Sequence, residues 1–159
     1  MPQSMSFEDS VVSLAIDLTA DTTSPTNTAV VDTQGYDEVE FRIWHGDVDA
    51  AAVMTYTVYE NTANSTSGGT AVTLATAAGT GATISSGALT ITEASGNLDD
   101  KCIRINVSHM ALTKRYVFVT ISATVESYEI DKAEAIKRRA RNLPITDRSD
   151  VAAVGYAGK

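Results

Sequence analysis

Catalytic material is scarce in this chain. Of its 159 residues two are His, one is Cys and one is Trp, and aromatics make up only 6%. A lone Cys102 cannot close an internal disulfide, and its place in an alternating apolar segment reads as a small buried hydrophobe. No stretch approaches the roughly 18 consecutive apolar residues of a membrane-spanning helix. The opening MPQSMSFEDS lacks the basic start and apolar run of a secretory signal, so synthesis in a cytoplasm is expected.

Positive charge is missing from most of the chain. Residues 1–100 hold 14 acids and a single base, Arg42, for a net −13. Residues 101–159 hold 6 acids and 11 bases, for a net +5. The total of −8 argues against non-specific binding to nucleic acid or an anionic membrane. The densest basic cluster is Lys137, Arg138, Arg139 and Arg141. With no aromatics interleaved, it reads as a strip that docks on an acidic protein surface. Trp44 and Tyr156 join it as candidate partner-contact residues.

What is abundant is strand material. There are 21 Thr and 14 Ser, and apolar residues alternate with polar ones along much of the sequence. Val12, Leu14, Ile16 and Leu18 alternate, and Val30 and Val31 suggest a short strand. Val39, Phe41 and Ile43 share one face, with Glu40, Arg42 and Trp44 on the other. Met54, Tyr56 and Val58 oppose Thr55, Thr57 and Tyr59. Ile103, Ile105 and Val107 share a face, as do Val117, Val119, Ile121, Ala123 and Val125. Residues 61–100 hold six of the ten glycines and only three charges, and read as short strands (Val72/Leu74, Ala82/Ile84, Leu89/Ile91) joined by turns such as Ser86-Gly87. About eight strands at short spacing predict an all-β antiparallel sandwich, jelly-roll-like. Residues 131–141 fit either an amphipathic helix, through Ala133, Ile136 and Ala140, or a last strand, Ile130 to Ile136. The expected organisation is an N-terminal arm (1–10), a sandwich (11–136), and a basic segment with an extended C-terminal tail (137–159).

Motifs for chemistry are weak. His45, Asp47 and Asp49 resemble the start of a calcium loop, but the Gly and Glu of an EF-hand are absent, so a solvated turn is expected. Asn97, Asp99 and Asp100 form a second acidic turn, and the two turns make a dinuclear site only if they meet in space. Ser108 and His109 lack the third partner of a hydrolytic triad, and the Gly-rich GTGATISSG lacks the G-K-[ST] ending of a phosphate loop. Two N-x-S/T matches, at Asn64 and Asn106, read as chance. No catalytic residue, metal or cofactor is expected. An aromatic platform for a glycan, from Trp44, Tyr56 and Tyr59, is the rival binding reading.

The segments DTQGYDEVEFRI (Asp32, Thr33, Gly35, Tyr36, Val39, Phe41) and KRYVFVT (Lys114, Arg115, Tyr116, Val117, Val119, Thr120), followed by Arg138, Arg139, Arg141 and Pro144, carry a resemblance. They resemble small β-sandwich virion proteins of tailed bacteriophages: head decoration, cement or minor structural proteins. The chain departs from that pattern in residues 61–96 and after Pro144, which leaves open shell decoration, head–tail joining or a tail part. The resemblance implies a non-enzymatic protein on the capsid surface of a virion. Its expected partners are the major capsid protein and further copies of itself, as a homotrimer.

Overall fold

The computed structural model describes residues 10–14, 22–94, 98–124 and 126–140. Eleven strands are present among them: β1 (Ser10–Leu14), β2 (Thr26–Asn27), β3 (Val31–Asp32), β4 (Tyr36–Val48), β5 (Val53–Asn61), β6 (Thr70–Ala71), β7 (Ala82–Ser85), β8 (Ala88–Thr92), β9 (Cys102–Ser108), β10 (Tyr116–Thr124) and β11 (Tyr128–Ala140). They form two antiparallel sheets packed face to face, an all-β sandwich. One sheet has the order β1-β11-β4-β9; the other has β2-β10-β5-β8-β7, with β3 also on β10 and β6 on β5.

The pairing is nested. β1 lies on β11, β2 and β3 lie on β10, β4 lies on β9, and β5 lies on β8. A chain that folds as a long hairpin and then wraps gives this order, which is jelly-roll connectivity. No helix of the described residues is long and apolar enough to cross a membrane.

The period-two pattern explains the core. Val39, Phe41 and Ile43 of β4 face Met54, Tyr56 and Val58 of β5 and Val117, Val119 and Ile121 of β10 across the sandwich, all buried. Ile105 and Val107 of β9 and Ala133 and Ala135 of β11 complete the inner face of the four-stranded sheet. Buried aliphatic and aromatic side chains of this kind contribute about 1.5–3 kcal/mol each. The Ser86-Gly87 turn joins β7 to β8 with both residues at positive φ (50° and 80°), the backbone shape that a two-residue hairpin turn needs.

Residues 131–140 are strand, not helix. Ala133 and Ala135 point into the core, while Ile136, which a helix would group with Ala133, is buried on the opposite side of the strand. Long-range pairing with β4, from Tyr128↔Val48 to Ala140↔Tyr36, overrides the local three-four spacing. β11 also runs through Lys137 and Arg138 to Ala140, so part of the expected basic segment is sheet. Between Val72 and Ala82 no strand forms, although Val72 N–H donates to the Val58 carbonyl and Leu74 N–H to that of Gly87. β1 is the first part of the expected strand 12–18; residues 15–21, 1–9 and 141–159 lie outside the described residues.

Phe41 is fully buried between the sheets. Phe41→Ala is expected to lower unfolding stability by about 3–5 kcal/mol, read as a lower urea midpoint with an unchanged slope.

Candidate functional site

The outer face of the four-stranded sheet carries a charge network that no single sequence segment reveals. Glu40 on β4 is fully buried. Arg42 Nε, from the same strand, and Arg104 Nε, from β9, each donate to its Oε1 at 2.7 Å. Arg138 Nη2, from β11, stands 2.7 Å from its Oε2 as an ion pair. The network continues along the face. Arg42 Nη1 is 3.7 Å from Glu134 Oε1, and Lys132 Nζ is 3.0 Å from Glu134 Oε2 and 4.8 Å above the Trp44 ring.

Burial pushes the Glu40 carboxyl up, but donors from Arg104 and Arg42 and the charge of Arg138 outweigh it and hold the pKa at about 2. Register makes this geometry. Arg42 sits opposite Arg104 on one side and Glu134 on the other, and Glu40 lies one face-step along. The two opposed arginines would repel without the carboxylate between them.

The expected partner-contact residues fall in different settings. Lys137 is buried, with Nζ 4.4 Å above the Tyr36 ring, and Arg138 is held by Glu40. Both are tied into the sheet, so the four bases are not one exposed strip. Arg139 lies on β11 with its side chain outside the described set, and Arg141 and Tyr156 lie outside the described residues. Trp44 is half-buried on the outer face under Lys132. The aromatic platform does not assemble: Tyr56 is fully buried in the core, and Tyr59 is on the other sheet, stacked on Phe118 at 5.4 Å. Alternation separates them because Tyr56 and Tyr59 have opposite parity on β5, and Trp44 belongs to a different sheet.

His45 is a core strut. Its Nδ1 lies 3.0 Å from the Glu129 carbonyl, which can only accept, so Nδ1 carries the proton. Nε2 then accepts from the Tyr56 hydroxyl at 2.7 Å. Burial holds the imidazole below its ordinary pKa, against the Glu129 carbonyl and the Asp131 charge.

The two acidic turns do meet. Asp99 Oδ1 accepts the Val48 N–H at 3.1 Å, and Asp49 Oδ2 accepts the N–H and hydroxyl of Ser127. These carboxylates tie loops together, and Asn97 lies outside the described residues. No group of three or more metal-ligating side chains gathers among the described residues.

Ser108 Oγ accepts the Met110 N–H at 3.3 Å and so caps the 3-10 turn at 109–111. His109 lies beside it, on an open trough of about 380 Å³ between that turn and Thr33–Gly35. Met110 stands out from the surface, 95% exposed. Glu60, buried at the end of β5, accepts the N–H of Thr113 at 2.6 Å, its hydroxyl at 2.6 Å and the Lys114 N–H at 3.1 Å. Those donors outweigh burial and lower its pKa.

The two anchor segments of the resemblance touch each other here. Arg115 Nε donates to Asp32 Oδ1 at 2.8 Å, Asp32 Oδ1 also accepts the Gln34 N–H, and Gly35 takes φ +84° in the turn into β4. D-T-x-G-Y and K-R-Y are thus two halves of one corner.

The fold defines the class: an all-β jelly-roll sandwich whose buried acids serve as struts. In comparisons with known proteins, no family model and no curated protein matches the chain.

Glu40 links stability to acid. Its folded pKa of about 2 lies below the ordinary 4.5, so the unfolded state binds its proton first as pH falls. The contribution is complete above about pH 4.5 and is lost by about pH 2. Glu40→Gln is expected to cost about 3 kcal/mol at pH 7 and to flatten the stability profile across that window. Urea unfolding at a series of pH values checks both.

Proposed function

We propose that this chain is a non-enzymatic structural protein of a tailed-phage particle, a decoration or cement protein that binds the outside of the head and braces neighbouring major capsid subunits. One observation carries the reading. The segments that resemble decoration proteins, around Asp32–Phe41 and Lys114–Thr120, form a single braced corner through Asp32–Arg115 and Glu60. That corner lies at the same end of the sandwich where the chain enters β1 at Ser10, paired with Lys137, and leaves β11 at Ala140, paired with Tyr36. The outer ends of β1 and β11, at Ser10 and Ala140, therefore lie at one end of the block. Segments that leave a spacer together can grip one neighbour without enlarging the domain.

The engaged state of the buried ionisable groups supports the same reading. Glu40, Glu60, Glu93 and His45 each hold a hydrogen bond inside the fold. Their chemistry goes into stiffness.

The docking role narrows to Arg139 and Arg141, because Lys137 and Arg138 are tied into the sheet. The double variant Arg139→Gln, Arg141→Gln is expected to fold with an unchanged melting temperature and to bind heads several-fold more weakly, with less dependence on salt. Quantitative mass spectrometry and cryo-electron microscopy of purified particles check this. Copies spread over the head lattice, reduced by the double variant, support the proposal. Absence from the particle, or confinement to the tail, overturns it.

A further inference from the structure

The four-stranded sheet ends on β9. Among the described residues β9 pairs on one side only, with β4, through seven consecutive residues without a bulge. It contains no proline, and its alternation is clean: Ile105 and Val107 are buried, while Arg104, Asn106 and Ser108 are exposed. Such an edge presents alternate N–H and C=O groups to whatever extended strand approaches. A charged side chain on an edge strand normally guards against this. Here the one charge on β9, Arg104, reaches inward across the face to Glu40 on β4, Nε to Oε1 2.7 Å. Its charge is matched by that ion pair, although the side chain stays 58% exposed. Beside the strand lies a cleft of about 190 Å³ of mixed lining, with Leu74, Leu89 and Ile105 beside Thr76, Arg104 and Asn106.

We infer that β9 is an interface for a second copy of this chain, whose β9 adds antiparallel across a two-fold axis to make a continuous eight-stranded sheet. The strand is complementary to itself. Centred on Ile105, antiparallel pairing sets Arg104 opposite Asn106, Ile103 opposite Val107 and Cys102 opposite Ser108. All seven residues are used, apolar residues stay on the core side, and no like charges face each other. Ile105 of the second copy then lies beside the cleft that Leu74 and Leu89 help to line. Centring on Arg104 would set two guanidinium groups against each other and is disfavoured. The contact is isologous, so it closes on itself at two. It stands independently of the particle reading, and differs from the trimer that the family resemblance implies.

The test uses the full chain in analytical ultracentrifugation. A concentration-dependent mass of twice 16.8 kDa is expected. Asn106→Lys places like charge opposite Arg104 twice per dimer and is expected to weaken association by about tenfold. Asn106→Asp places a carboxylate there and is expected to tighten it. As a second measurement, Ser108→Cys sets a thiol opposite Cys102 of the second copy. Mild oxidation is then expected to yield a covalent dimer on a non-reducing gel, while wild type stays uncrosslinked. A monomer at all concentrations, a trimer, a dimer indifferent to both Asn106 variants, or a failure of Ser108→Cys to cross-link overturns the inference.

Discussion

A carboxylate taken wholly out of water must be matched by positive charge, and that requirement organises this sandwich. Glu40 is matched by arginines from β4, β9 and β11. Arg104 and Arg138 are far from it in sequence, so their convergence fixes the register of three strands at once. A slip of one residue would send every side chain of the slipped strand to the other face and leave the carboxylate buried without its partners. The same ions settle how the outer face looks. Cations that would otherwise stand free are drawn into ion pairs along the face, Arg104 on the edge strand β9 among them.

The charge asymmetry of the chain takes on a physical meaning in this light. An acidic first hundred residues and a basic remainder suggest a separate basic tail. In the fold, Arg104, Lys132, Lys137 and Arg138 instead lie on or beside the acidic strand β4. Much of the later positive charge is consumed in closing the sheet around Glu40 and Glu134, and in covering Tyr36 and Trp44. Isolated surface ion pairs contribute little, roughly 0–1 kcal/mol. The contribution here comes from the fully buried member that several cations share.

The sheets were legible from alternation alone. The inward sets on β4, β5, β9 and β10 could be read directly, because a half-buried strand must repeat every two residues. Two-residue strands such as β3 and β6 were only partly legible, since so short a segment has no period. Residues 131–140 are ambiguous because Ala133, Ile136 and Ala140 have helical spacing while Ile130 to Ile136 also reads as a last strand, and only pairing with β4 decides. The site was nearly illegible. Glu40 reads as an ordinary exposed acid on the polar side of its strand, and nothing local distinguishes it from Glu38. Its burial depends on Arg104 and Arg138, 64 and 98 residues later in the numbering, and register across β9 and β11 cannot be read from one sequence. The same holds for Glu60, whose partners Thr113 and Lys114 arrive with a turn on the far side of the chain.

The measurement that bears most directly on this account is a double-mutant cycle between Glu40 and Arg138, with Glu40→Gln and Arg138→Gln made singly and together and stability read from urea unfolding at neutral pH. If the buried carboxylate couples β4 to β11, the double variant will be less destabilised than the sum of the singles, by about 1 kcal/mol or more. Additivity within about 0.3 kcal/mol would show that the two residues act separately, and would contradict the central role given to Glu40.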